Sequence, residues 1–323
     1  MTSLIEQATR RLEQLRQAGV SVEERTDAPQ NRAKPFDAFV PPDVPGASVF
    51  AAATAPAAKP AAPPAAATVS RRVELDLDAL VASGIVSPNA PRSQIADQYR
   101  VIKRPLITNA MGRGAAPVEN GNLIMVTSAL AGEGKSFTAI NLAMSIATEL
   151  DNTVMLVDAD VARPSVLRVL GLPASPGLLD LLVGDVADMS SVLLKTNIDK
   201  LTLLPSGTPH MRATELLASD AMTQLIANIA HRYSDRIIIF DSPPLLLTTE
   251  SRVLASHMGQ IVMVVHAQKT LQTDVQHALA SIESCPVKMM VLNQARSGTQ
   301  GGYGGYGYGY GYEQLPEQPE QAA

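Results

Sequence analysis

The chain has 323 residues, a formal charge of −5 and 46% apolar residues, with no tryptophan and a single cysteine, Cys285. That length allows one domain with tails or two small domains. The acidic balance offers no global attraction for nucleic acid, and one cysteine excludes an internal disulfide or a cysteine-rich metal centre.

From the N-terminus, Leu4, Ile5, Ala8, Leu12 and Leu15 share one helical stripe, which predicts an amphipathic helix within residues 1–20. The same stretch is too charged for a secretory signal. No run of ~18 apolar residues follows anywhere, so nothing is expected to span a bilayer and the chain is expected in the cytoplasm. Residues 21–70 are rich in proline and alanine without apolar periodicity and read as a disordered linker. A folded domain is expected over 71–298 and a Gly/Tyr-rich tail over 299–323.

Within the domain, "SQIADQYRVIKRPLITNA" from Ser93 reads as a helix that Pro105 should bend or end. Six apolar runs then recur: 122–128, 153–159, 201–206, 236–242, 260–266 and 287–293. Each is an almost unbroken series of Val, Ile, Leu and Met, as in strands covered on both faces. Helical patterns fall between them. The expected fold is α/β and P-loop NTPase-like, a largely parallel sheet flanked by helices on both faces.

The chemistry concentrates at three strand ends. After the first run the chain reads "SALAGEGKSFTAINLA", a small-residue turn from strand to helix that ends in Gly134, Lys135 and Ser136. Such a turn points backbone N–H groups and a helix N-terminus at phosphates. Lys135 would reach the β/γ-phosphates and Ser136 would ligate Mg²⁺; the nucleotide-binding set is Ala131, Gly132, Glu133, Gly134, Lys135, Ser136 and Phe137. Ala129 stands where the general motif has its first glycine. The second run ends in "DADVARPS", with Asp158 and Asp160 two residues apart at the sheet end where doubly wound folds bind ligands. "RIIIFDSPP" delivers Asp241 to the third strand end, where Pro243 and Pro244 prevent continuation, as a metal carboxylate with Asp160; Asp158 is the candidate base, and the roles of Asp158 and Asp160 are exchangeable.

The tail carries five of the seven tyrosines, Tyr303, Tyr306, Tyr308, Tyr310 and Tyr312, interleaved with glycine. A composition of this kind cannot pack a core. It is either inert or a substrate.

Together, "AGEGKS", "DADVAR", "IIIFDSPP" and the tyrosine cluster resemble the bacterial tyrosine kinases, over residues ~90 to 312. "SLIEQATRRLEQLRQAG" and "ATELLASDAM" are similar to the subgroup of exosortase and exopolysaccharide loci. Two departures stand out: Ala131 replaces the family's proline, and Ala162 replaces the arginine of DxDxR, with Arg163 one residue later. The resemblance implies an ATP- and Mg²⁺-dependent tyrosine autokinase, with Lys135, Asp158 and Asp160 catalytic and the five tail tyrosines as acceptors. It implies ring-like self-association through an ExxRxxR-like element, here Asp97, Arg100 and Lys103, charged residues three apart that are expected on one solvent-facing side of the helix, able to pair with a neighbouring subunit. It also implies a membrane-spanning chain-length regulator as activator, a resetting tyrosine phosphatase, and a peripheral place at the inner face of the plasma membrane. The alternatives are a deviant-Walker partitioning-type ATPase, which carries an early P-loop lysine absent from "SALAGEGKS", and a non-catalytic nucleotide-binding scaffold of the polysaccharide machinery.

Overall fold

The computed structural model describes residues 70–88 and 92–295. The expected N-terminal helix, most of the linker and the tyrosine tail lie outside the described residues.

Eight strands form one sheet: β1 (Arg71–Arg72), β2 (Leu123–Ser128), β3 (Thr153–Asp158), β4 (Leu194–Lys195), β5 (Leu201–Leu204), β6 (Arg236–Asp241), β7 (Gln260–His266) and β8 (Val287–Asn293). Their order is β1-β4-β5-β3-β6-β2-β7-β8, and every pairing is parallel except β4 with β5. The six apolar runs became the six longer strands, each within two residues of the expected bounds. The two-residue strands β1 and β4 are too short to carry an alternation signal.

The side-chain period of two divides the central strands between two cores. Met125, Met155, Val157, Ile238, Phe240, Ile261 and Met263 face one layer. Their neighbours Ile124, Val126, Val154, Leu156, Ile237, Ile239, Val262 and Val264 face the other. The first layer is closed by α5 (Leu178–Val183), α6 (Ala213–Leu217), α7 (Asp220–Arg232), α8 (Glu250–Ala255) and α9 (Gln272–Ala280). The second is closed by α1 (Leu77–Ala82), α2 (Gln94–Ala110), α3 (Lys135–Ala147) and α4 (Val166–Val169). Burying each Val, Leu or Ile stabilises by roughly 1.5–3 kcal/mol relative to exposure, so the doubly covered strands dominate the driving force.

The innermost helix is α3, buried continuously from Thr138 to Ala147. Ala139, Ala143 and Ala147, four residues apart, form one narrow stripe that permits close packing. Buried Asn141 ties the connector before α2 to this helix, accepting from the Val86 N–H at 2.8 Å and donating to the Phe137 carbonyl at 3.0 Å.

Three expectations require correction or narrowing. Of the two outcomes expected at Pro105, an end is excluded, because helix α2 runs through it to Ala110. Pro105 and Val101, whose carbonyl loses its partner, both sit on the exposed side, where water can replace the missing bond. Strand β8 is not covered on both faces: its burial alternates, leaving Met290 and Leu292 exposed at the sheet edge. Lys103 does not share the exposed face of Asp97 and Arg100. It is buried, donates from Nζ to the Ser145 carbonyl at 2.5 Å and pairs with Glu149 at 2.7 Å. Each three-residue step along a helix drifts about 60° around its axis, so two steps turn Lys103 away from Asp97 and onto α3.

Candidate active site

At the carboxyl end of β2 the chain turns into α3 through a loop whose shape depends on two glycines. Gly132 and Gly134 have φ of +82° and +92°, the left-handed region that glycine enters without strain. Space is also limiting at Gly134, where a Cβ would lie 2.0 Å from Asn293 Nδ2. That amide, at the end of β8, donates to the Glu133 carbonyl at 2.9 Å. Ala129 is fully buried at the strand end, so a methyl fits where the general motif has glycine.

Glu133 braces the loop from within. Its carboxylate is buried and accepts from the Leu130 N–H at 2.8 Å and from the Thr270 hydroxyl. Any contact of Glu133 with a nucleotide therefore falls to its backbone. Phe137 also turns away, lining a groove with Tyr99, Met290 and Leu292 between α2 and β8.

The charged centre forms where β2, β3 and β6 end together. Lys135 Nζ lies 2.6 Å from Asp160 Oδ2, 3.8 Å from Asp241 Oδ1 and 3.3 Å from Ser136 Oγ. Burial would lower the lysine's pKa, but the negative charge of Asp241, Asp160 and Asp158 outweighs it and holds the ammonium protonated. Asp158 and Asp241 are register partners on adjacent strands. Asp158 Oδ2 accepts from the N–H groups of Ser165 and Val166 at 3.1 and 3.0 Å, while Oδ1 is buried without a donor. Burial, reinforced by the nearby Asp241 carboxylate, pushes Asp158 up to about 7. Asp241 is fully buried, neither of its oxygens has a donor at hydrogen-bond geometry, and burial raises it to about 6 despite the opposing pull of Lys135 and of the Ser136 hydroxyl.

Buried carboxylate oxygens without donors are costly unless something positive meets them. The deficit at Asp241 fits a divalent cation, and the free oxygen of Asp158 is left to accept a proton. Among the described residues no cluster of three or more His, Cys, Asp or Glu could hold a metal ion by protein ligands alone. Magnesium commonly completes its shell with waters and substrate phosphates, so one or two carboxylates and a hydroxyl suit it.

A cavity of about 410 Å³ opens over this centre, lined by Ala131, Gly132, Lys135 and Asp160 on the loop side and by Pro243, Pro244 and Leu247 after β6. The two prolines end β6 where the sequence predicted, and Thr127 Oγ1 fixes the turn by donating to the Pro243 carbonyl at 2.9 Å. Of the expected oligomer residues, Asp97 and Arg100 pair with each other at 2.6 Å on the exposed side of α2. The tail tyrosines lie outside the described residues. Sequence reading passed over Asn293, Thr270 and Ser165. Asn293 alone left a trace, as the polar residue closing the apolar run of β8.

The AAA domain family matches residues 121–288 of the chain. Tyrosine-protein kinase YwqD of Bacillus subtilis is 29% identical over 224 residues, 69% of this chain and 90% of YwqD. Tyrosine-protein kinase CpsD of Streptococcus agalactiae is 31% identical over 194 residues, 58% of this chain and 82% of CpsD. The crystal structure of the chimerical protein CapA2B2 superposes with a TM-score of 0.55 at 25% identity, covering 69% of this chain and 93% of that one. Against several longer tyrosine-kinase relatives the chain spans only about a quarter of their length. With the loop, the acidic strand ends and these likenesses in agreement, the chain belongs to the AAA domain family and, within it, to the bacterial tyrosine kinases.

Proposed function

We propose that the chain is an ATP-dependent protein-tyrosine autokinase that phosphorylates Tyr303, Tyr306, Tyr308, Tyr310 and Tyr312 in trans within an oligomer, and that this regulates exopolysaccharide biosynthesis or export. The observation that carries the reading is the charged centre: one partly buried lysine flanked by Asp160 and Asp241, with Asp158 raised toward neutral pH beside them.

The backbone of Ala131 to Ser136 and the N-terminus of α3 receive the triphosphate, and Lys135 neutralises charge that develops on the transferring group. Ser136, Asp160 and Asp241 would hold Mg²⁺, which when bound screens the phosphate charge. The tyrosine oxygen forms its bond to the γ-phosphorus as the bond to the β–γ bridging oxygen breaks, releasing ADP. Asp158 takes the phenolic proton; its pKa of about 7 keeps a large fraction deprotonated at neutral pH while leaving it basic enough to accept. Asp158 Oδ1, which lacks a donor, is the atom available for it.

Self-association in a ring through the exposed pair Asp97 and Arg100 belongs to the same proposal, with Lys103 supporting α2 from inside. So do a membrane-spanning chain-length regulator as activator, a tyrosine phosphatase that resets the tail, and a place at the inner face of the plasma membrane through that regulator. No helix among the described residues is long and apolar enough to cross a membrane.

The test is to incubate purified chain with ATP and Mg²⁺ and to blot for phosphotyrosine, with Lys135→Met as control. Phosphotyrosine in the wild type, none in the control and none after Tyr→Phe at all five positions is the expected result. ATP turnover without phosphotyrosine would return the reading to a partitioning-type ATPase. Mixing Lys135→Met chains with five-fold Tyr→Phe chains tests transfer in trans, because only transfer between subunits can label the former.

A further inference from the structure

Beyond the phosphate loop, the cavity has a second wall that the transfer chemistry leaves unused. It is built by the turn after β3 and by α4, which bring Arg163, Ser165 and Arg168 to the same cavity as Lys135 and Asp160. Lys135 and Asp160 neutralise each other at 2.6 Å. Neither Arg163 nor Arg168 forms an ion pair through its side chain among the described residues. The cavity wall therefore carries two guanidinium charges with no carboxylate matched to them. Ser165 supplies a separate observation: it is 8% exposed, and its hydroxyl is buried without a partner.

We propose that Arg163, Arg168 and Ser165 form a phosphotyrosine-holding subsite, which retains a tail tyrosine once phosphorylated and presents its neighbour for the next transfer. This rests on the tail being the substrate of the site. An aryl phosphate carries about −1.5 to −2 charge at neutral pH, which matches two guanidinium groups, and arginine forks bind phosphate oxygens bidentately. A serine hydroxyl can donate to a third oxygen. The triphosphate needs none of this wall, because the loop N–H groups, the α3 N-terminus and Lys135 already face its charge.

The spacing of the tail suits the arrangement. Tyr306, Tyr308, Tyr310 and Tyr312 follow one another at two-residue intervals. In an extended chain such residues point to the same side about 6.6 Å apart. A tail held by one phosphotyrosine therefore offers the next hydroxyl a short step away, and transfer becomes processive. Without the hold, each phosphorylation would need a new encounter.

The experiment follows intact full-length chain by mass spectrometry during reaction with ATP and Mg²⁺, for the wild type and for Arg163→Ala/Arg168→Ala, with ADP binding as a check on the fold. In the wild type, species bearing three or more phosphates should appear without accumulation of the singly phosphorylated form. In the double variant the ratio of multiply to singly phosphorylated chain should fall about tenfold or more, the worth of a charge-assisted contact. Phenyl phosphate at millimolar concentration should shift the wild type toward the variant's ladder and leave the variant unchanged. The same ladder in both proteins, or a wild-type ladder indifferent to phenyl phosphate, overturns the subsite. Loss of even the first phosphate in the variant with ADP binding intact also overturns it, by assigning the arginines to the first transfer. A wild type with no phosphotyrosine at all overturns the kinase reading itself, and the subsite with it.

Discussion

Strands β6 and β8 read alike in the sequence, "RIIIFD" and "VKMMVLN", yet they do opposite work. β6 lies between β3 and β2 and is buried on both faces, while β8 has β7 on one side only and exposes every second residue. An apolar run states that a strand will form; the number of neighbours decides whether it becomes core or edge. The carboxylate at the end of β6 is consequently sealed and electrostatically strained, whereas the amide at the end of β8 is free to reach sideways to the phosphate loop.

The largest expected effect breaks the comparison at β6. Asp241→Asn should lower autophosphorylation by about 10²–10³-fold, as loss of a preorganised electrostatic contact does. Phosphotyrosine formation at saturating ATP and Mg²⁺ measures it, and near-normal activity would remove Asp241 from the site.

Next is packing. Ile239→Ala, on the doubly covered strand, should cost about 2–5 kcal/mol in urea unfolding, whereas Leu292→Ala on β8 should stay within about 0.5 kcal/mol. Equal losses would show that the edge face is covered in solution.

A smaller effect is the pH dependence of stability in metal- and nucleotide-free protein. Asp158 and Asp241 titrate near 7 and 6 when folded against an ordinary 3.8, so the folded state holds protons that the unfolded chain has released. Their contribution is full below about pH 4 and is lost as pH rises toward 7. The apo protein should therefore melt several degrees higher at about pH 5.5 than at about pH 7.5, since ~1 kcal/mol shifts Tm by ~2–4 °C at this size. Asp158→Asn should flatten the difference.

The smallest effect belongs to the surface of α2. Arg100→Ala breaks an exposed i,i+3 pair with Asp97 and should change monomer stability by less than about 0.5 kcal/mol. Its consequence should appear in the oligomeric state by sedimentation.

The sequence made legible whatever depends on local pattern. The six longer strands, the strand-to-helix turn at Lys135 and the convergence of Asp158, Asp160 and Asp241 on one sheet end all follow from apolar runs, glycine placement and the doubly wound rule. Features set by distant neighbours were not legible. Lys103 looked solvent-facing because charge at helical spacing says nothing about the carbonyl waiting on α3. Glu133 looked available to a nucleotide because its partner Thr270 lies far along the chain. Whether Pro105 would bend its helix or end it was not legible because exposure, which decides its cost, is not local.

The amide of Asn293 bound to the Glu133 carbonyl joins the last residue of the sheet to the cradle itself. Position 134 leaves no room beside that same amide, so any side chain there would displace it. The far edge of the sheet is thus moored to the phosphate loop through one amide, so Asn293→Ala would leave the loop without its brace from β8.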